Sequence, residues 1–172
     1  AEFVFTNTRR PAFRLVKLDS FTGNGLGGAT FRIARIADGT RYLDRVTDAN
    51  GEINISDLEP GIYSVRETKA PEGFVIDPTE YHVELFPGQV SELVVSNDRK
   101  PNLEIIKTDA VTGAPVEGVT FTVKKVDSST LTTVKSDADG RALIEKLDPG
   151  VYEVWEQSVP DNYLINKEHQ LI

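Results

Sequence analysis

The chain has 172 residues, with 19 basic and 27 acidic side chains, a net charge of −8 and neither cysteine nor methionine. Disulfide frameworks, thiolate metal sites and thiol nucleophiles are therefore excluded, and any covalent reinforcement must use other chemistry. Basic residues scattered through an acidic chain argue against a nucleic-acid surface and against binding to anionic membranes. No signal peptide, bilayer-spanning apolar run or cell-wall sorting motif is visible, so the chain reads as an interior piece of a mature protein.

In chain order, residues 2–7 (EFVFTN) alternate with Phe3, Phe5 and Asn7 on one parity and read as a strand, closed at Arg10-Pro11, where proline ends one element and stiffens entry to the next. Short runs of Val, Ile, Leu, Thr, Phe and Tyr then predict strands at Phe13 to Asp19, Thr30 to Ala37, Tyr42 to Thr47, Glu52 to Ile55, Gly61 to Thr68, Glu80 to Leu85 and Val90 to Asn97. Asp48-Ala49-Asn50-Gly51 is a hairpin turn in which glycine supplies the positive φ. Seven strands of this length suggest a two-sheet sandwich. Lys100-Pro101 marks a second junction, and linkers this short favour a rod of domains over a swinging pair. Beyond it, strands are predicted at Leu103 to Thr108, Thr120 to Val126, Leu131 to Ser136, Ala142 to Glu145, Gly150 to Glu156 and near His169 to Ile172. No segment carries a sustained helical period.

The second series repeats the first. LEIIKTDAVTG follows FRLVKLDSFTG so that Lys107 lies 90 residues after Lys17; Glu156 lies 89 after Glu67, Pro149-Gly150 lies 89 after Pro60-Gly61, and SDADG echoes TDANG. EFVFTNTRRP also matches ELVVSNDRKP, with Asn7 placed 90 residues before Asn97. The chain therefore reads as residues 1–10, the closing strand of a preceding repeat; 11–100, a complete domain; and 101–172, a second domain lacking its closing strand. A missing strand leaves an exposed sheet edge and an open core.

Strand parity places three polar residues on faces that are otherwise apolar. Phe13 and Leu15 share parity with Lys17, Tyr63 and Val65 with Glu67, and Leu93 and Val95 with Asn97. Each is costly to bury without a partner, so the three are expected to meet. A buried lysine–glutamate ion pair capped by the amide satisfies these groups, and so does a covalent link.

KLDSFTGNGLGGATFRI, KTDAVTGAPVEGVTFTV, GIYSVRETKAPEGF and LVVSNDRKP resemble the B-type repeat of Gram-positive collagen adhesins, the CnaB or SpaA-like domain of surface proteins and pilins. The resemblance implies an all-β fold of tandem Greek-key immunoglobulin-like sandwiches and an extracellular, cell-wall-anchored stalk. It also implies a spontaneous isopeptide bond between Lys17 and Asn97, assisted by catalytic Glu67. In the second domain it assigns Lys107 and Glu156. Its box there reads VWEQSVPDNY, with Val159 for Ala70 and Asn162 for Gly73.

The chemistry suits these residue types. Burial favours a neutral, nucleophilic amine and a neutral carboxyl that donates to the Asn97 side-chain carbonyl, then relays protons to the departing ammonia. The reaction is single-turnover and needs no cofactor, metal or outside enzyme. Two readings are open for the acceptor of Lys107: Asn7 of one molecule enters the second domain of another in a head-to-tail self-association, or the sequence is cut from a longer array and the second domain is left without its last strand.

An alternative reading is an adhesin module that recognises host matrix protein or glycan through loops 20–28 or 127–132, where Phe21 is the one loop aromatic, more simply a packing residue. An ordinary enzyme fits poorly, because His82 and His169 lack a positioned Ser or Cys partner. Asp137-Ala138-Asp139-Gly140 lacks the spacing of a calcium loop and reads as a turn. Trp155 has outward parity and is expected to cover a domain junction.

Overall fold

The computed structural model describes residues 2–38 and 42–172. The chain divides into two compact units, Ala1–Arg99 and Lys100–Ile172. Ala1, part of the expected 1–10 segment, lies outside the described residues. Both units are built of strands, and among the described residues no helix is long and apolar enough to cross a membrane.

In the first unit β1 (Ala12–Asp19), β4 (Glu52–Ile55) and β7 (Val90–Asn97) form one sheet in the order β4-β1-β7. The other contains β2 (Thr30–Arg35), β3 (Tyr42–Val46), β5 (Gly61–Lys69) and β6 (Glu80–Leu85) in the order β3-β2-β5-β6. Alternating side chains from both sheets fill the core: Phe13 and Leu15 from β1, Phe31 and Ile33 from β2, Tyr63 and Val65 from β5, and Val95 from β7. Burial of each large apolar side chain stabilises by about 1.5–3 kcal/mol. The first and last strands are neighbours, with β1 parallel to β7 over its full length from Ala12–Val90 to Asp19–Asn97.

The second unit keeps this plan with one difference. Its larger sheet has the order β10-β9-β12-β13, from Leu131–Lys135, Thr120–Lys125, Tyr152–Ser158 and Gln170–Leu171; its smaller sheet holds only β11 (Arg141–Ile144) and β8 (Leu103–Ile106). Val119, Phe121, Val123, Ala142, Tyr152 and Val154 form its core. Among the described residues no strand pairs with the outer edge of β8, the edge that β7 covers in the first unit.

Two departures from the expected elements share a cause. The strand expected at Leu103 to Thr108 ends at Ile106, whereas its counterpart β1 runs to Asp19, because only β1 has a neighbour on both sides. Residues 2–10 form no strand, and Phe3, Val4 and Phe5 are exposed. A strand needs a ladder partner, and among the described residues the segment has none, its one backbone tie being Arg9 O, which accepts from the Gly88 N–H at 2.7 Å. The strand expected at Thr30 to Ala37 stops at Arg35 and passes into a 3₁₀ turn, Ile36–Asp38.

The hairpin glycines do more than close turns. Gly51 (φ 81°) and Gly140 (φ 73°) take left-handed conformations in which Asp48 Oδ1 and Asp137 Oδ1 accept backbone N–H groups from the turn. A Cβ at Gly51 would stand 2.3 Å from the Lys17 carbonyl oxygen, and one at Gly140 2.3 Å from that of Lys107. Gly23 has φ 72° but nothing within 4 Å of a built Cβ. Both Gly23→Ala and Gly51→Ala incur the left-handed cost of about 1–2 kcal/mol, and only Gly51→Ala adds a backbone clash. Urea denaturation is expected to show Gly51→Ala clearly the less stable; equal midpoints would show that the close approach carries no weight.

Candidate functional site

The structure brings Lys17, Glu67 and Asn97 together between the two sheets of the first unit, at 0%, 3% and 2% exposure. The Lys17 Nζ donates to Asn97 Oδ1 and lies 3.6 Å from Glu67 Oε1. Asn97 Nδ2 donates to the same Glu67 oxygen at 2.8 Å, and Glu67 Oε2 accepts from the Asp77 amide at 2.7 Å. Phe31 floors the site, its ring centroid 5.7 Å from Nζ. Burial pushes the Lys17 pKa below its ordinary value, against the pull of the nearby Glu67 and Asp77 charges, and so favours the neutral amine.

The amide orientation corrects one expectation. Glu67 was expected to donate to the Asn97 carbonyl, but that oxygen is taken by Lys17 and the carboxylate faces the Nδ2 group. An acceptor-only carboxylate matches an amide N–H₂, and a donor-only ammonium matches an amide oxygen. Glu67 Oε1 therefore faces both nitrogens of the cluster, Lys17 Nζ and Asn97 Nδ2.

Local structure fixes each group. The Lys17 backbone is held on both sides, its N–H on Gly51 O at 2.7 Å and its carbonyl on the Leu26 N–H at 2.8 Å. The register between β2 and β5 shifts beyond the Phe31–Glu67 pair, so that Thr30 faces Lys69. A bulge of this kind re-aims the side chain beside it. Asp77 is anchored by the Thr79 amide and the Tyr81 hydroxyl, which aims its own N–H at Glu67. Thr47, buried, accepts from Ala29 N and donates to Leu26 O, tying down the loop after Lys17. The sequence reading missed Phe31, Thr47, Asp77 and the bulge. The repeat could have found the first two, because Phe121 and Ser136 stand at the corresponding places.

The second unit reproduces most of this arrangement. Lys107 Nζ lies 3.0 Å from Glu156 Oε1, Glu156 Oε2 accepts from the Asn166 amide at 2.8 Å, and a register shift again follows Glu156, opposite Phe121. Ser136 repeats the Thr47 clamp through Val119 N and Val116 O. The Lys107 side chain is 25% exposed, against 0% for Lys17. Asn7 is exposed and belongs to residues 2–10, which form no strand.

Other residues singled out by sequence have plain roles. Trp155 stacks on His169 within the second unit at 4.8 Å between centroids, and His169 Nδ1 contacts Glu153 at 2.7 Å. Asp137 serves a turn. Phe21, 85% exposed, lies 5.9 Å from the Arg99 guanidinium.

A family model for the SpaA prealbumin-like fold domain matches residues 11–99 and again 101–172. Among solved structures the chain is similar to the Bacillus anthracis TIE protein, at 27% identity and a TM-score of 0.53 over 96% of this chain and 31% of that one. It is similar to a streptococcal ancillary pilin at 26% identity, with a TM-score of 0.56 over 97% of this chain and 59% of the other. The chain thus spans under a third of the first protein and about three-fifths of the second. The shaft pilin SpaA from Lactobacillus rhamnosus GG shares the fold at 14% identity, with a TM-score of 0.61 over 96% of this chain and 93% of that one. No curated protein matches.

The end of β1 carries a second buried carboxylate. Asp19, 3% exposed, accepts from Arg99 Nε and Nη2 at 2.9 and 2.7 Å and from the Phe21 amide at 2.9 Å. The Arg99 guanidinium and these N–H groups push its pKa down to about 2. With the folded value below the unfolded one of 3.8, its stabilisation is present above about pH 4 and lost as pH falls toward 2. Arg99→Ala is expected to flatten the acid limb of the first unit's stability between those values, measured by denaturation against pH; an unchanged limb would remove Asp19 as its source.

Proposed function

This chain belongs to the SpaA family of prealbumin-like fold domains, and on that premise we propose that it is a structural repeat module of a Gram-positive cell-surface adhesin or pilin, held by an isopeptide bond between Lys17 and Asn97. The observation that carries the reading is the buried Lys17–Glu67–Asn97 cluster, with the amine on the amide oxygen and one Glu67 oxygen 2.8 Å from Asn97 Nδ2 and 3.6 Å from Lys17 Nζ. The likeness to a streptococcal ancillary pilin supports the surface assignment.

In the proposed reaction the Lys17 ammonium gives a proton to the Glu67 carboxylate, and the free amine attacks Asn97 Cγ. Glu67 protonates Nδ2 and takes a second proton from Nζ. The tetrahedral centre collapses as the C–N bond to Nδ2 breaks. An amide, a neutral Glu67 and one ammonia result, with no external oxidant, cofactor or metal. Folding supplies the proximity, where effective molarities of about 10⁵–10⁸ M are attainable.

The bond would join residues 80 apart, and closing a loop of that size contributes about 4–5 kcal/mol by the chain-entropy account. It would also change how the domain meets force. Because β1 and β7 are parallel neighbours, tension between the ends of the unit would shear their ladder; the link would carry it from Lys17 to Asn97 and bypass every strand between.

Intact mass under denaturing conditions is expected to fall short of the sequence mass by one ammonia. Lys17→Ala, Asn97→Ala and Glu67→Ala should each restore the full mass, and the variants that fold should unfold at lower denaturant. A wild-type chain at full sequence mass would overturn the bond.

A further inference from the structure

We infer that Asp77 is a positioning residue for the Lys17–Asn97 bond: its amide holds Glu67, and its carboxylate sets the pH window in which the bond forms. This deepens the proposed function and rests on the Lys17–Asn97 reading given there.

The geometry puts Asp77 one carboxyl group away from the reacting amine. Its N–H donates to Glu67 Oε2 at 2.7 Å, while Oε1 of the same carboxylate lies 3.6 Å from Lys17 Nζ. The Asp77 side chain is itself fixed, Oδ1 accepting from the Thr79 amide at 2.9 Å and Oδ2 from the Tyr81 hydroxyl at 2.7 Å. Two carboxylates therefore stand by one buried lysine, one more than neutrality requires. The titratable groups turned toward Lys17 are Glu67 from β5, Asp77 from the loop between β5 and β6, and Tyr81 from β6, which reaches it through Asp77; β2 and β7 contribute Phe31 and Asn97.

The extra charge is held in place. Burial opposes ionisation of Asp77, but the hydrogen bonds from Thr79 and Tyr81 and the Lys17 ammonium outweigh it and keep the carboxyl below its ordinary pKa. Donation to Asp77 pushes the Tyr81 pKa up, so Tyr81 stays a neutral donor. Burial lowers the Lys17 pKa, and the Glu67 and Asp77 charges pull against it.

The second unit separates the charge from the turn. At the offset of 89 that relates Glu67 to Glu156, Asp77 corresponds to Asn166 and Tyr81 to Gln170. Asn166 makes the same two ties: its amide donates to Glu156 Oε2 at 2.8 Å, and its Oδ1 accepts from the Glu168 amide at 2.9 Å. Aiming an N–H at the glutamate thus needs only an Asx turn, which asparagine and aspartate both make. What Asp77 adds is its charge.

That charge bears on proton count. With two protons on the Nζ–Glu67 pair the nitrogen is an ammonium and cannot attack; with none, Nδ2 has no acid to leave with. The rate is therefore bell-shaped in pH. A fixed anion beside the pair favours its protonated forms and moves the bell to higher pH.

The test starts from the full chain unfolded in urea before any ammonia is lost. It is diluted into a series of buffers, with intact mass timing the loss of one ammonia, peptide mass locating it at Lys17 and Asn97, and circular dichroism timing refolding separately. Asp77→Asn should shift the rate profile to lower pH, reacting several-fold faster than wild type on the acid limb with its maximum little changed. Tyr81→Phe, which frees the carboxylate but leaves the turn, should shift it the same way by less. Asp77→Glu, with the charge kept, should hold the wild-type position even where the rate falls. A profile that stays in place in both Asp77→Asn and Tyr81→Phe, however slow, or that moves to higher pH, would overturn the inference and leave the bond standing. A wild-type chain that keeps its full mass at every pH would overturn the bond, and this inference with it.

Discussion

A lysine with no exposed surface must have its charge either matched or removed, and the first unit is organised around that demand. An unpaired ion in such a place costs several kcal/mol, a large part of the 5–15 kcal/mol by which domains are stable. Lys17 and Asn97 come from one sheet and Glu67 from the other, so the groups that meet the demand also tie the two layers together. Gly51, the bulge at Glu67 and the Asp77 amide are means of holding these atoms in register. Apolar packing brings the sheets face to face; the polar cluster fixes how far each strand slides.

The second unit shows what that arrangement needs. Its glutamate, lysine, aromatic floor, hydroxyl clamp and turn glycine are all in place, yet its lysine strand is half the length of β1 and its lysine is partly wet. The parallel neighbour is what differs. Pairing on the second edge extends the strand past the lysine and closes the site to solvent, so length, burial and chemistry vary together.

Much of this was legible in the sequence because period-two alternation is strict in both repeats. Lys17, Glu67 and Asn97 announce themselves as polar residues on apolar parity, and the offset of 90 carries the pattern to Lys107. What alternation cannot show is anything that breaks it. The bulge after Glu67, the amide of Asp77 reaching back from a loop and the Thr47 hydroxyl standing in for ladder bonds all lie where the period lapses. The orientation of the Asn97 amide was equally hidden, since it depends on which neighbour claims the oxygen. Trp155 shows the opposite limit: its outward parity was legible, but its partner, His169, lies in the irregular stretch just before the two-residue strand Gln170–Leu171, where no pattern fixes its surroundings.

The parallel pairing of β1 with β7 also bears on the order in which the fold can assemble. Arg14 and Glu92, paired across those strands, are separated by 78 residues, so most of the domain must exist before β1 acquires its second neighbour. Contacts of such long separation form late and slowly. Until then Lys17 lies beside an open ladder edge, so its burial, and with it the closing of the polar cluster, comes with the last strand to pair rather than with the first.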